Sequence, residues 1–164
     1  MEMIATYQIL NDKELNLLLN ISGSDRYLEF VERLQERNIP LLEIGNMWDM
    51  MHFIFCGISA SEPIEEYPLS ESVVGENIVC EDYFISFTSK KRMYKIVRSL
   101  ENIDFEKVIS AFELENYRKN TPYNKKMKMD KNIIFSELRE NFEKMKKFYR
   151  MAYEKRENVI VSIY

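Results

Sequence analysis

The sequence predicts an α+β fold: one domain over residues 1–164, with a small mixed sheet that includes both terminal strands and about five to seven helices packed on it. Three observations predict it. Residues 3–10 and 158–164 are apolar, partly β-branched runs, as terminal strands should be. Between them, apolar residues recur mostly at helical spacing. Glycine and proline number only four each, so little of the chain is left for linker or disorder.

The elements follow in order. Residues 3–10, "MIATYQIL", read as a first strand bounded by "ND". Asn11 opens a helix, and Glu14 three residues on gives a near capping box. Leu15, Leu18 and Leu19 form its stripe. "SGSD" is punctuation, and Ser24 is expected to cap a second helix carrying Tyr27, Phe30, Val31 and Leu34, ended by Asn38 and Pro40. "PLLEIG" leads into residues 46–57, "NMWDMMHFIFCG". Asn46 is the expected cap and Gly57 the left-handed stop. This helix is apolar almost all round, so it should be buried on most sides.

Residues 58–82 read as an acidic loop with Pro63 and Pro68. It holds one short helical element, "PLSESVVGE", with Ser70 as cap and Gly75 as breaker. Residues 83–87, "YFISF", read as a strand. Thr88 or Ser89 caps a helix to about Leu100, and Asp104 caps the next, which buries Phe105, Val108, Ile109 and Phe112. "NTPYN" breaks the chain. The longest helix runs from about Lys131 to Arg156, its stripe formed by Leu138, Phe142, Met145, Tyr149 and Ala152. "NVIVSIY" is the last strand.

The net charge of −4 conceals two unlike halves. Residues 1–82 carry 16 acidic and 4 basic side chains; residues 83–164 carry 11 acidic and 19 basic. The acidic N-terminal half is thus a candidate surface for a basic protein partner. The most basic run, residues 124–131, is short, interrupted by Asp130 and without a nucleic-acid motif, which argues against a nucleic-acid partner. No apolar run approaches the ~20 residues of a membrane span. Glu2 stands where a signal peptide carries a positive charge, so the chain reads as soluble, cytoplasmic and without a membrane role. Cys56 and Cys80 lie outside any CxxC pair and read as reduced, buried thiols.

Catalytic machinery is largely missing. There is no glycine-rich phosphate loop, GxSxG elbow or HExxH, and no cofactor or metal site is implied. Any Ser–His or Cys–His chemistry would have to use His52, the one imidazole. Glu62, Glu65, Glu66 and Glu71 read as a solvated acidic loop. Trp48, the one tryptophan, lies a helical turn before His52. Two readings of that pair stay open. In one, a buried imidazole ties elements together. In the other, Trp48, Asp49 and His52, with Tyr67 and Ser70, line a pocket for a small-molecule ligand or an enzyme's substrate.

Four stretches, "MEMIATYQIL", "WDMMHFIFCG", "PLSESVVGE" and "MKKFYRMAYEKRENVIVSIY", occur in the order found in the YfbM-like family of small bacterial proteins of unknown function, which this chain resembles over nearly its whole length. The most specific pieces are Trp48-x-x-x-His52, Gly57 four residues before Ser61, and Pro68-Leu69-Ser70 through Gly75. The resemblance implies a single α+β domain and brings no activity, cofactor or catalytic residue. Where the family has a tryptophan before its long C-terminal helix, this chain has residues 132–135, "NIIF". The functional expectation is therefore a non-catalytic binding domain, inhibitor- or immunity-like, with the pocket around Trp48 and His52 as the alternative.

Overall fold

The computed structural model describes residues 2–37, 39–123, 127–128 and 130–164. Five strands form one sheet: β1 (Ala5–Leu10), β2 (Leu41–Gly45), β3 (Asn77–Cys80), β4 (Ile85–Thr88) and β5 (Asn158–Ile163). Their spatial order is β2-β1-β5-β4-β3. The two terminal strands pair along their full length, Ala5 opposite Ile163 through Leu10 opposite Asn158. Every pairing is antiparallel, which corrects the mixed sheet expected from the sequence. Apolar periodicity identifies a strand's faces but carries no information on its direction.

Eight α-helices are found among the described residues, one more than the sequence suggested: α1 (Asp12–Leu19), α2 (Ser24–Gln35), α3 (Trp48–Cys56), α4 (Pro68–Val74), α5 (Met93–Asn102), α6 (Phe105–Ser110), α7 (Leu114–Asn120) and α8 (Lys131–Glu154). They cover both faces of the sheet, because alternate residues of each strand point to opposite sides. Leu10 and Ile160 pack with Leu18 of α1 and with Val31 and Leu34 of α2. Tyr7, Val159 and Val161 pack into the larger core with α3, α5 and α8. The central strand β5 is consequently buried at all six positions.

Several expected caps form. Asn11 and Glu14 complete a reciprocal capping box. Asp104 accepts from the Lys107 amide, and Ser89 caps the short 3-10 turn leading into α5. Gly57 closes α3 at φ +77°, the left-handed conformation that needs no Cβ. Other assignments are corrected. Ser24 is the first residue of α2 rather than its cap, and its hydroxyl binds the Asp82 carboxylate instead. Met47, not Asn46, precedes α3. Ser70 lies inside α4, which Pro68 begins at a position where a missing N–H costs nothing. Leu19 is 52% exposed and leaves the stripe of α1 to Leu15 and Leu18. Asn38, named as a helix stop, lies outside the described residues, as do Asn124, Lys125, Lys126 and Met129 of the basic run.

Three elements were not expected. β2 and β3 are the two edge strands, each set by pairing with a neighbour. α7 buries only Tyr117 and has no apolar stripe to announce it. β4 begins at Ile85, not Tyr83, because Phe84 takes φ +35° in the turn out of β3. Among the described residues no helix is long and apolar enough to cross a membrane.

Candidate functional site

α3 is the centre of the larger core: eight of its nine residues are buried. Its apolar members meet aromatic neighbours on several sides. Phe53 contacts the rings of Phe112 and Tyr117; Phe55 contacts Phe105 and Phe142. Its polar members are each consumed by protein partners.

Asp49 is wholly buried and accepts four hydrogen bonds. One oxygen takes the Ser59 hydroxyl and the Ala60 amide, each at 2.7 Å. The other takes the Tyr117 phenol at 2.9 Å and the Thr121 hydroxyl. Asp49 thus fastens the loop after α3 on one side and α7 on the other. A buried carboxylate needs such a set of donors to offset its lost hydration.

His52, one turn on, is also wholly buried. Nδ1 lies 2.9 Å from the Ile58 carbonyl oxygen, and Nε2 lies 2.7 Å from the Ser70 hydroxyl. A carbonyl only accepts, so Nδ1 of the neutral ring donates, and Nε2 accepts from Ser70. Burial lowers the pKa of this imidazole, against smaller opposing effects of the Ile58 carbonyl and the Asp49 charge. Ser70 in turn accepts the Ile64 amide at 3.0 Å. The chain Ile58–His52–Ser70–Ile64 therefore pins both ends of the loop between α3 and α4.

A serine bonded to an imidazole whose far nitrogen is oriented by a carbonyl is also the arrangement of an activated nucleophile. Here Ser70 is fully buried and its oxygen already holds two partners, His52 Nε2 and the Ile64 amide.

The structure thus divides the five predicted pocket residues. Asp49 and the His52–Ser70 pair hold two separate buried sets of hydrogen bonds, one helical turn apart on α3. Trp48 is turned elsewhere: its indole N–H donates to the Met3 carbonyl at 3.0 Å, and its ring lies 4.8 Å from that of Tyr123. Tyr67, 38% exposed, precedes α4 and does not join them. Cys56, on the same helix, has its thiol pushed up to about 12 by burial, so it holds little reactive thiolate at neutral pH.

An open site lies on the other side of Ser70. A cleft of about 570 Å³ is bounded by the Pro63–Glu66 loop, by Ser70, Glu71 and Val74 of α4, and by Gly75 through Ile78 leading into β3, with Arg92 reaching in. Among the described residues its charged lining is Glu65, Glu66, Glu71 and Glu76 against Arg92. That guanidinium is already engaged. Its Nε and Nη2 meet the two Glu71 oxygens at 2.6 and 3.0 Å, and these hydrogen bonds raise its pKa. Glu71 is 4% exposed, so it is no part of a solvated loop as the sequence suggested. Glu65, Glu66 and Glu76 are exposed, which leaves the cleft with an excess of negative charge. Glu66 is held at φ +55°, an uncommon conformation for a residue with a side chain.

α4 forms the floor, and its C-terminal carbonyls are caught by hydroxyls from three other elements. Tyr149 donates to Ser72, Tyr7 to Val73 and Ser86 to Val74, at 2.6–2.7 Å. These are the groups a helix end leaves unpaired, and a buried end must find them partners. Burial raises the pKa of both phenols, keeping them protonated donors. Gly75 follows at φ +81°, and a Cβ there would lie 2.2 Å from the Ser86 Oγ. Arg92 and Glu76 went unnoticed in the sequence. Glu71 carried one signal: a charge inside the apolar helix "PLSESVV" requires a buried partner.

The profile of a family described as a domain of unknown function, DUF1877, matches residues 1–162. Protein YfbM of Escherichia coli (strain K12) is 26% identical over 117 residues, spanning 70% of this chain and 69% of that protein. The crystal structure of YfbM, described as a protein of unknown function from Escherichia coli, superposes with a TM-score of 0.82 at 21% identity. The superposition covers 98% of this chain and 99% of that one, and shows a shared fold.

Proposed function

The chain belongs to the DUF1877 family, and on that premise we propose that it is a non-catalytic binding domain whose acidic cleft receives a positively charged group of a protein partner. One observation carries the reading: four glutamates line the cleft, and the one cation of its lining among the described residues is spent on one of them. An entering ammonium or guanidinium would meet Glu65, Glu66 and Glu76 with no competing free positive charge in the lining among the described residues. The floor is preorganised by the hydroxyl clamps on α4, so little ordering opposes binding. The candidate surface lies within the acidic half of the chain, Arg92 apart. A cytoplasmic setting belongs to the same reading.

The other reading, a small-molecule or catalytic pocket around Trp48 and His52, draws no such support, since both side chains are enclosed and bonded to protein.

The test is calorimetric titration with tetralysine at low and at physiological salt, for wild type and for a Glu65→Gln/Glu66→Gln variant. Saturable binding that weakens with salt and drops at least about fivefold in the variant supports the proposal, since exposed charge pairs are each modest and salt-screened. Equal binding by the two proteins rejects it.

A further inference from the structure

We infer that the partner segment enters this cleft as an extended, lysine- or arginine-bearing strand that adds to the free edge of β3. The inference rests on the cleft reading above and specifies its mode. β3 stands at the end of the sheet: it pairs with β4 on one side and with no strand on the other among the described residues. An edge strand offers unpaired N–H and C=O groups, and added strands are a common way to use them.

Proteins normally blunt such edges, and β3 is blunted over only part of its length. The register slips between Ile78 and Cys80, and a bulge of this kind discourages pairing beyond that point. The part before the bulge, Glu76 to Ile78, is exposed, and these same residues form one wall of the cleft. The stretch of edge left open to pairing is thus the stretch that faces a binding space.

Charge chooses the occupant. An added strand puts alternate side chains on one face. Basic residues at every second position would all reach toward the side of the cleft held by Glu65 and Glu66. The hollow beside the opposite edge strand, β2, is about half the size at 280 Å³; it is also acidic, with Glu43 and Glu137 beside a Glu140–Lys144 pair, so size and not charge separates the two edges.

The test uses the peptide acetyl-KTKVKT-amide, two N-methylated forms of it and spermine. One form is methylated at the first, third and fifth amides, the other at the second, fourth and sixth. A strand added at an edge pairs through only one alternate set of its amides. The expected result is that one methylated peptide binds at least about tenfold more weakly, from about one or two lost hydrogen bonds and the methyl groups then turned against the edge, while the other binds like the parent. Equal loss by both forms, or by neither, overturns strand addition. If in that case spermine and the peptides still bind and compete, the cationic cleft stands without it. Failure of every cationic probe to bind overturns the cleft reading and this inference together.

Discussion

Replacing His52 with alanine tests whether the buried network is architecture. The imidazole is wholly enclosed and holds the Ile58 carbonyl at 2.9 Å and the Ser70 hydroxyl at 2.7 Å. Alanine leaves both groups without their partner and opens a cavity against the apolar neighbours of α3. An unpaired buried group costs ~1–3 kcal/mol, and cavities add to that, so the total is on the order of 3–5 kcal/mol. That is a large share of the ~5–15 kcal/mol by which domains are stable. Urea unfolding followed by Trp48 fluorescence measures it, with the slope checked for constancy.

The same residue predicts a pH dependence. The folded-state pKa of His52 lies below its ordinary value of 6.5, because burial disfavours the charged ring. The unfolded chain therefore binds the proton more readily. The stability is fully present above pH 6.5 and is lost as the pH falls from there toward the lower folded-state pKa. The slope can reach at most about 1.4 kcal/mol per pH unit for one proton. His52 is the chain's one histidine, so a His52→Gln variant should lose the slope near pH 6 while keeping the carboxylate-dependent one at lower pH. A stability change under about 1 kcal/mol in His52→Ala, or an unchanged slope in His52→Gln, would refute the reasoning.

Three other outcomes follow. Gly75→Ala should cost about 2–4 kcal/mol in the urea midpoint, through its positive φ and its clash with Ser86. Ser86→Ala should not rescue it, because the Ser86 Cβ would still lie 2.8 Å away. Tyr149→Phe leaves the Ser72 carbonyl without its 2.7 Å donor and should lower stability by ~1–3 kcal/mol, a loss under 0.5 kcal/mol marking the clamp as dispensable. In a Cys80→Ser background, Cys56 should react with iodoacetamide at pH 8 about a thousandfold more slowly than an ordinary thiol, since its pKa is pushed up to about 12; labelling at the rate of free cysteine would contradict this.

The parts of the fold legible in the sequence are those whose signal is local or long. α8 announces itself by an uninterrupted stripe, and α1 by its capping box. The burial of α3 follows from its apolar residues on every side. β2, β3 and α7 are illegible for one shared reason: long-range partners decide them. β3 is largely exposed and is a strand because β4 pairs with it; α7 is held through Tyr117 on Asp49, 68 residues away in the chain. The site divides the same way. Trp48 and His52 stood out as the one tryptophan and the one histidine, while Asp49 and Ser70 were expected at a pocket and are instead bonded within the protein. The cleft needed Arg92 brought to Glu71, a pairing between a short helix and a turn that no sequence spacing encodes.

The measurement to make first is the chemical-shift map of backbone amides on titration with tetralysine at low salt. Binding at the cleft predicts saturable shifts concentrated at Glu65, Glu66, Glu71, Gly75 to Ile78 and Arg92, with little change around Trp48 and His52. Shifts scattered over the acidic surface, or gathered around Trp48, would contradict it.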